Sequence, residues 1–277
     1  MHKIIERTRL VPNIHLLRVS APDVVRKVEP GNFVIVKIDE TAERIPLTVA
    51  DWNKDDGTLS IVFMTVGAST HRLAQLKAGD EIETCVGPLG RAMEVGKFGT
   101  VVCMAGCYGI GAILPVARAL KKTGNKVIML LEAKTKDLVY WREKYEEFAD
   151  KVVLATLEDA PDGKNRIVEA VENLVKGGEK IDRVIALGCS LMMMRSSEAT
   201  RPHKIKTIVS LNPVMIDGTG MCGVCRCSVG GKTKFACVDG PDFDGHEVDW
   251  KQLFSRRRSY LEEEMRALSE FECKICS

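Results

Sequence analysis

The spacing of apolar segments changes once along this chain, near residue 98, and that change limits the fold more than any other feature. Before it, the apolar runs are short and close together: IHLLRVS, NFVIVKI, RIPLTVA, LSIVFMTV and EIETCV. Turn-forming triplets such as Glu29-Pro30-Gly31 and Ala78-Gly79-Asp80 separate them. Because many short strands at close spacing are typical of a closed antiparallel sheet, residues 1–97 are predicted to form a β-barrel. One helical insert, STHRLAQL, is expected to begin at Ser69.

Beyond residue 98, apolar strands alternate with segments of helical length. The strands are GTVVCMA, KVIMLLEA, KVVLATL and RVIALGC, and the helical segments include ILPVARALKK and RIVEAVENLV. This rhythm is typical of a doubly wound parallel sheet, which we expect over residues 98–212. The remainder, 213–277, holds a cysteine-rich stretch, a single charged helix SRRRSYLEEEMRALSEF and a terminal CKIC.

The composition argues against nucleic-acid binding, membrane spanning and secretion. The net charge of +2 and the aromatic content of 5% give no reason to expect nucleic acid as a partner. The uncharged stretch TVVCMAGCYGIGAILPVA contains three glycines, so it is interpreted as a strand, turn and helix and not as a membrane span. The N-terminus lacks the apolar region of a signal peptide. A cytoplasmic location is expected, in which ten cysteines indicate metal, cluster or buried thiols before disulfides.

Two glycine turns are candidate nucleotide sites. Gly67-Ala68-Ser69-Thr70 lies where a strand ends and a helix starts, so its backbone N–H groups could meet a phosphate. The alternative is a serine N-cap without a ligand. The segment from Gly106 through Gly109 to Gly111 follows the first strand of the parallel sheet, although its spacing matches the dinucleotide fingerprint only loosely. Glu132 ends the next strand, where an acid would accept ribose hydroxyls or would be a solvated strand end.

The stretch DGTGMCGVCRCSVGGKTKFACVDG holds four cysteines and six glycines in 24 residues. Zinc could be bound by the Cys222/Cys225 and Cys273/Cys276 pairs, but Cys237 would then be idle. A thioredoxin-like C-x-x-C pair would normally open a helix. A strand of small buried thiols would not need so many glycines.

The favoured interpretation is a [2Fe-2S] cluster. Asp217, Cys222, Cys225 and Cys237 form the frame D-x4-C-x2-C-x11-C, which follows plant-type spacing with an aspartate in the first ligand position. Carboxylates are acceptable iron ligands, and the glycines allow backbone N–H groups to point at the sulfurs. Cys227 is interpreted as a buried bystander.

These segments together resemble the ferredoxin–NADP reductase superfamily over essentially the whole chain. The branch that they resemble is the electron-transfer subunit of dihydroorotate dehydrogenase. A nearer resemblance is to the small (alpha) subunit of NADH-dependent reduced ferredoxin:NADP oxidoreductase, also described as a sulfide dehydrogenase subunit. The segments that carry it are ERIPLTV, GPLGRA, IKTIVSLNPVMIDGTGMCGVC and FACVDGPDFDGHEVDW. Asp217 resembles the latter subunit, since the dihydroorotate branch has cysteine there.

The resemblance implies FAD in the barrel and NAD(H) on the parallel sheet. The residues implied to contact FAD are Arg44, Pro46, Leu47, Thr48, Met64, Val66, Gly67, Ser69 and Thr70. Those implied to bind the nicotinamide nucleotide are Gly106, Gly109, Gly111, Glu132 and Gly188. Three positions depart from the pattern: Ile45 replaces the usual arginine before the Ser/Thr, Cys107 a glycine, and Cys189 a proline.

The implied function is electron transfer between NAD(H), FAD and the [2Fe-2S] cluster. No general acid–base pair is needed, and the sequence offers none. The implied partner is a larger flavin and iron–sulfur subunit that oxidises NADPH and reduces ferredoxin by electron bifurcation. The alternatives are an electron-transfer subunit of a dihydroorotate dehydrogenase and a zinc-binding interaction module.

Overall fold

The structure is a computed structural model that describes residues 1–156, 158 and 166–276. Its strands are β1 His2–Val11, β2 Ile14–Ser20, β3 Phe33–Lys37, β4 Ile45–Asn53, β5 Thr58–Met64, β6 Glu81–Ile82, β7 Thr84–Leu89, β8 Thr100–Gly106, β9 Lys126–Ala133, β10 Lys151–Thr156, β11 Arg183–Leu187, β12 Lys206–Ser210, β13 Arg226–Val229, β14 Lys232–Phe235 and β15 Asp242–Asp244. Its helices are α1 Pro22–Val25, α2 Ala68–Gln75, α3 Gly109–Ala112, α4 Leu114–Lys122, α5 Arg142–Glu146, α6 Arg166–Lys176, α7 Ser190–Thr200, α8 Ala236–Asp239, α9 Trp250–Arg257 and α10 Leu261–Cys276, with 3-10 turns at Lys136–Leu138 and Arg201–His203.

The first seven strands form one antiparallel sheet in the order β6-β1-β2-β5-β4-β3-β7. Its two edge strands, β6 and β7, are consecutive in the chain, so the sheet curls into a nearly closed barrel around a core that includes Leu17, Val34 and Ile61. The predicted antiparallel barrel is therefore confirmed. Strand β1 was not predicted, because its residues HKIIERTRLV mix charges with apolar side chains and Ile4 alone among its ten is buried.

The second sheet has the order β10-β9-β8-β11-β12-β15, with five parallel strands and antiparallel β15 at the edge. Alternate side chains of β8 point to opposite faces of this sheet. Val101 and Cys103 pack with helices α3 and α4, whereas Val102 and Met104 pack with α6 and α7. The predicted doubly wound parallel sheet is confirmed. Leu157, the last residue of the predicted KVVLATL strand, lies outside the described residues.

The C-terminal segment is built onto both sheets. Its strand β15 extends the parallel sheet by pairing with β12, and β13 and β14 form a separate hairpin. Phe33 and Ile35 of the barrel belong to the same apolar cluster as Cys225 and Cys237. The cysteine-rich stretch is thus packed between the barrel and the parallel sheet.

The prediction of one charged helix from Ser255 was wrong. Helix α9 begins at Trp250, because the Asp249 side chain caps it by accepting a hydrogen bond from the Gln252 N–H (2.9 Å), and it ends at Arg257. A second helix, α10, then runs back toward α2, where Phe271 lies 5.8 Å from the ring of His71. Among the described residues, no helix is both long and apolar enough to cross a membrane.

Candidate functional site

The turn before α2 is held by its own threonine. Thr70 Oγ1 accepts hydrogen bonds from the backbone N–H groups of Val66 (2.9 Å) and Gly67 (3.1 Å) and donates one to the Gly67 carbonyl (2.9 Å). Thr70 therefore shapes the turn, whereas Ser69 makes one long contact of 3.4 Å to Glu43. A Cβ placed on Gly67 would meet nothing within 4 Å, so the space over this turn is open.

The other residues predicted to contact FAD lie on the two strands that lead to this turn. Pro46, Leu47 and Thr48 lie half-buried on β4, and β4 pairs with β5, which ends at Met64. Arg44 precedes β4 and is exposed, and the Val66 side chain is 62% exposed. The structure thus gathers these residues beside one open turn, which fits a flavin cradle, and their contacts to FAD stay predictions.

The second glycine turn lies at the carboxyl end of β8. Strand β8 is the first parallel strand in the chain, and its neighbours β9 and β11 lead away in opposite directions, so the switch point lies between β8 and β11. A Cβ on Gly109 would collide with the Leu187 carbonyl oxygen, and one on Gly111 would lie 2.6 Å from Val62 Cβ. These glycines let the turn approach β11 and the barrel closely. Gly188 directly follows β11 and has a φ of +156°, and a Cβ there would lie 3.0 Å from the Gly106 carbonyl oxygen.

Glu132 lies directly beside the turn, because β8 and β9 pair Gly106 with Glu132. Burial raises the pKa of the Glu132 carboxyl, and the positive charge of Arg195 opposes that rise. The side chain is half-buried at the end of its strand, where a ribose hydroxyl could reach it. Its role in nucleotide binding stays a prediction.

Tyrosines near the turn were not predicted as site residues. Tyr140 Oη accepts from the Gly111 N–H (2.8 Å) and donates to the Cys107 carbonyl (3.0 Å), and it supports Cys107 in a left-handed conformation with φ +52°. Tyr108 lies inside the turn itself, and its Oη donates a hydrogen bond to the Gly188 carbonyl beyond the end of β11. Tyr108 between Gly106 and Gly109 is visible in the sequence, but its hydrogen-bond partners, Gly188 and Asn212, are distant in sequence and could not be predicted from it.

Three of the four predicted cluster ligands, Asp217, Cys222 and Cys225, lie in the loop before β13, and Cys237 lies on α8, directly after the hairpin. The sulfurs of Cys225 and Cys237 are 3.2 Å apart and buried. The carboxylate of Asp217 accepts hydrogen bonds from the backbone N–H groups of Thr219 (2.9 Å) and Cys222 (2.7 Å). In the part of the chain that the structure describes, no three His, Cys, Asp or Glu side chains gather as around a single ion. Three thiols and one carboxylate are nevertheless groups that can ligate the irons of a [2Fe-2S] cluster, and their role as ligands stays a prediction.

The cluster loop lies against the barrel. Gly218, Gly220 and Gly223 all have positive φ, and a Cβ on Gly218 would lie 2.7 Å from Leu89 Cδ1 on β7. Burial raises the pKa of the Cys237 thiol to about 12, and the Gly220 N–H group that faces its sulfur opposes that rise. A bound metal deprotonates such a thiol outright, and the N–H group then stabilises the thiolate.

The remaining cysteines differ from these four. Cys227 is buried and directs its sulfur to the Lys234 carbonyl across the hairpin (3.7 Å), which agrees with its interpretation as a bystander. Cys273 is exposed on α10, and the side chain of Cys276 lies outside the described residues. The pairing of these two in a zinc site stays untested.

An antiparallel barrel, a parallel sheet with a glycine turn at its switch point and a glycine-rich cysteine loop define an electron-transfer flavoprotein of the ferredoxin reductase type. The model of the iron–sulfur cluster binding domain of dihydroorotate dehydrogenase B matches residues 212–249. A dihydroorotate dehydrogenase B (NAD(+)) electron transfer subunit homolog of Thermotoga maritima is 38% identical over 98% of this chain and 95% of that protein. The electron transfer subunit of Clostridium perfringens is 29% identical over 90% of this chain and 97% of that protein.

A solved structure is similar over the same length. It is described as that of the NADH-dependent reduced ferredoxin-NADP oxidoreductase, and its matched chain has 38% identity and a TM-score of 0.90, with 98% of both chains covered. A ferredoxin reductase of carbazole 1,9a-dioxygenase, at 15% identity and a TM-score of 0.60, shares the fold over 74% of this chain. The chain therefore belongs to the family of dihydroorotate dehydrogenase B electron transfer subunits and their homologues, and the predicted resemblance is confirmed.

Proposed function

We propose that this chain is the electron-transfer flavoprotein subunit of an NADH-dependent reduced ferredoxin:NADP oxidoreductase that bifurcates electrons. The observation that carries the proposal is the correspondence with that enzyme's structure over 98% of both chains at a TM-score of 0.90. A match of this extent includes the barrel, the parallel sheet and the cysteine loop, so it is not limited to one shared unit.

The three proposed units divide the work. Residues 1–97 hold FAD, residues 98–212 hold NAD(H), and residues 213–277 hold the [2Fe-2S] cluster. When bound, FAD exchanges an electron pair with the nucleotide and single electrons with the cluster. The chain contributes position: Gly67 admits the FAD pyrophosphate, Glu132 accepts ribose hydroxyls, and Asp217 with Cys222, Cys225 and Cys237 ligates iron.

Both other units contact the barrel. The barrel contacts the nucleotide turn through Val62 and Gly111, and it contacts the cluster loop through Leu89 and Gly218. The barrel therefore adjoins both sites, and a flavin held on it would exchange electrons with the nucleotide and with the cluster.

An electron transfer subunit works with a larger subunit, and the names of the family members support this. We propose that the partner of this chain contains flavin and iron–sulfur clusters, oxidises NADPH and reduces ferredoxin. A cytoplasmic location suits such a partner. Exposed apolar side chains near the cluster loop, among them Ile216, Met221 and Val238, suit a surface that a partner covers.

A second candidate is the electron-transfer subunit of a dihydroorotate dehydrogenase. The names of the relatives and the matched iron–sulfur domain favour it. The two functions are separated by the activity of the chain with its co-purified partner. Reduction of ferredoxin by NADPH that requires NAD⁺ supports the first, and oxidation of dihydroorotate supports the second.

The cluster assignment is tested on ligand variants of the full chain. Cys222→Ala, Cys225→Ala and Cys237→Ala should each lose the cluster or severely weaken it, whereas the matched control Cys227→Ala should keep it. Asp217→Cys should retain a [2Fe-2S] cluster with a changed reduction potential, since thiolate replaces carboxylate. Iron, acid-labile sulfide and the EPR spectrum of the reduced protein decide. Loss of the cluster in Cys227→Ala, or an unchanged signal and potential in Asp217→Ala, would show that the ligand set is wrong.

The flavin is tested by denaturation. The purified chain should release FAD and not FMN, because the open turn at Gly67 suits a pyrophosphate at the start of an α-helix. Chromatography of the released flavin identifies it, and FMN would contradict the barrel assignment.

A further inference from the structure

A chain of four hydrogen bonds crosses the switch point of the parallel sheet. Arg257, at the end of α9, donates from Nη1 to Ser190 Oγ (2.7 Å), and Ser190 Oγ donates to Asn212 Oδ1 (2.7 Å). Asn212 Nδ2 donates to Tyr108 Oη (2.5 Å), and Tyr108 Oη donates to the Gly188 carbonyl (2.8 Å). Every donor points the same way, from the guanidinium to the end of β11.

This series of hydrogen bonds joins the two turns that border the nucleotide crevice. Tyr108 belongs to the turn after β8, Gly188 belongs to the turn after β11, and Ser190 is the first residue of α7, which follows that turn. Ser190 is fully buried, so its hydroxyl exchanges no hydrogen bond with solvent. Hydrogen bonds in series polarise one another in a low dielectric, and a cation at the first donor strengthens the following ones. The Tyr108–Gly188 hydrogen bond therefore joins the two turns, and Arg257 is connected to it through Ser190 and Asn212.

The arginine comes from the C-terminal segment and not from the parallel sheet. Its neighbour in sequence, Arg256, reaches in another direction and donates to the carbonyls of Val224 and Arg226 (both 3.1 Å), which flank Cys225. Two consecutive arginines at the end of α9 thus contact two different regions. Arg256 donates hydrogen bonds to the cluster loop, and Arg257 donates one to Ser190 beside the nucleotide crevice. The parallel sheet by itself lacks the first member of the hydrogen-bond chain.

We propose that Arg257 is a positioning residue for the nicotinamide nucleotide. Through Ser190, Asn212 and Tyr108 it sets the turns after β8 and β11 at the separation that the nucleotide requires, without touching the nucleotide itself. The inference rests on the proposed function, in which this crevice binds NAD(H). It adds that the affinity for the nucleotide depends on the segment that carries the cluster.

The test is calorimetric titration of the oxidised, cofactor-loaded full chain with NAD⁺, which cannot reduce it. Arg257→Gln should bind NAD⁺ about fivefold to tenfold more weakly, because a hydrogen bond from a charged donor is lost from a buried hydroxyl. The rate of flavin bleaching at saturating NADH should stay within about twofold of the wild-type rate, since the residue orients the crevice without taking part in the transfer. Arg257→Lys, which keeps the charge, should recover part of the affinity.

Two neighbouring arginines supply matched controls. Arg258→Gln changes the next arginine, which is exposed as Arg257 is, and should leave the NAD⁺ affinity unchanged. Arg256→Gln should alter the EPR signal of the reduced cluster and leave the NAD⁺ affinity unchanged, which is the opposite pattern to Arg257→Gln.

The hydrogen-bond chain itself is tested by a double variant. If Arg257 acts through Ser190, then Arg257→Gln with Ser190→Ala should bind NAD⁺ no more weakly than the weaker single variant. Fully additive losses, an Arg257→Gln affinity equal to wild type, or an equal loss in Arg258→Gln would overturn the inference. A wild-type chain that binds no NAD⁺ would instead overturn the proposed function.

Discussion

The turn before α2 and the turn before α3 both place glycine between a strand and a helix, but their surroundings differ. At Gly67 the backbone is extended, with φ −152°, and an added Cβ would meet nothing within 4 Å. At Gly109 an added Cβ would collide with the backbone of β11 and lie 2.8 Å from Gly188 Cα. The second glycine is required by the fold, whereas no contact of the described residues requires the first.

This difference separates structural glycines from functional ones. A glycine that packing explains carries little information about a ligand, because the same residue would be needed in an empty protein. Where a glycine has open space above it and an ordinary backbone conformation, packing does not explain why glycine is present. The close approach of a phosphate is then one explanation. In the nucleotide crevice, the ligand is therefore better indicated by Glu132 than by the glycines around it.

The largest effect on stability is expected at the packed turn. Gly109→Ala should lower the free energy of unfolding by about 1–3 kcal/mol, because the backbone atoms of β11 cannot move aside as a flexible side chain would. Urea unfolding of the wild type and the variant measures the difference. Stability equal to wild type would contradict the claim that this glycine is required by packing.

Gly67→Ala provides the opposite case. Its stability should stay within about 0.5 kcal/mol of wild type, since the methyl group enters open space. Its affinity for FAD should fall about tenfold, equivalent to about 1.4 kcal/mol, because the methyl group blocks the approach of the pyrophosphate. Flavin retained after gel filtration, with unfolding measured in parallel, reports both. A variant that folds well and keeps its FAD fully would remove the distinction between the two turns.

The smallest effect is expected at Glu132 and concerns nucleotide choice. Wild-type flavin should be reduced faster by NADH than by NADPH, because an ionised Glu132 repels a 2′-phosphate. Burial raises the pKa of this carboxyl, so lowering the pH protonates it earlier than an exposed glutamate, and the NADH preference should decrease. Glu132→Gln should show a weaker and pH-independent preference. Stopped-flow bleaching with each nucleotide over a pH series measures this, and a preference for NADPH in the wild type would move the phosphate site to Lys134 and Lys136.

The fold was largely predictable because local patterns determine it. The alternation of apolar residues in β2 and the buried run of β9 correspond to segments that the sequence marked as strands. Strand β1 was missed because its charged side chains hide the pattern. The start of α9 was missed because it depends on tertiary contacts: the Trp250 indole N–H donates to the Gly245 carbonyl (3.1 Å), and Leu253 is buried.

The candidate site was predictable only in part. The spacing from Asp217 to Cys225 is local and visible, and so are the glycine turns. The hydrogen bonds that support these residues are not visible in the sequence. Tyr108 and Asn212, for example, are 104 residues apart and meet only after the sheet has formed. Periodicity and motif spacing describe neighbours in the chain, so contacts across a switch point lie beyond them.

Electrons are expected to pass between NADH, the flavin and the cluster. An anaerobic titration of the purified, cofactor-loaded protein with NADH, followed by visible absorption and EPR, tests this expectation directly. The flavin absorbance should bleach, and the EPR signal of a reduced [2Fe-2S] cluster should grow, as the ratio of NADH to NAD⁺ increases. A protein that contains flavin and iron but keeps its oxidised spectrum, with no EPR signal under excess NADH, would contradict it.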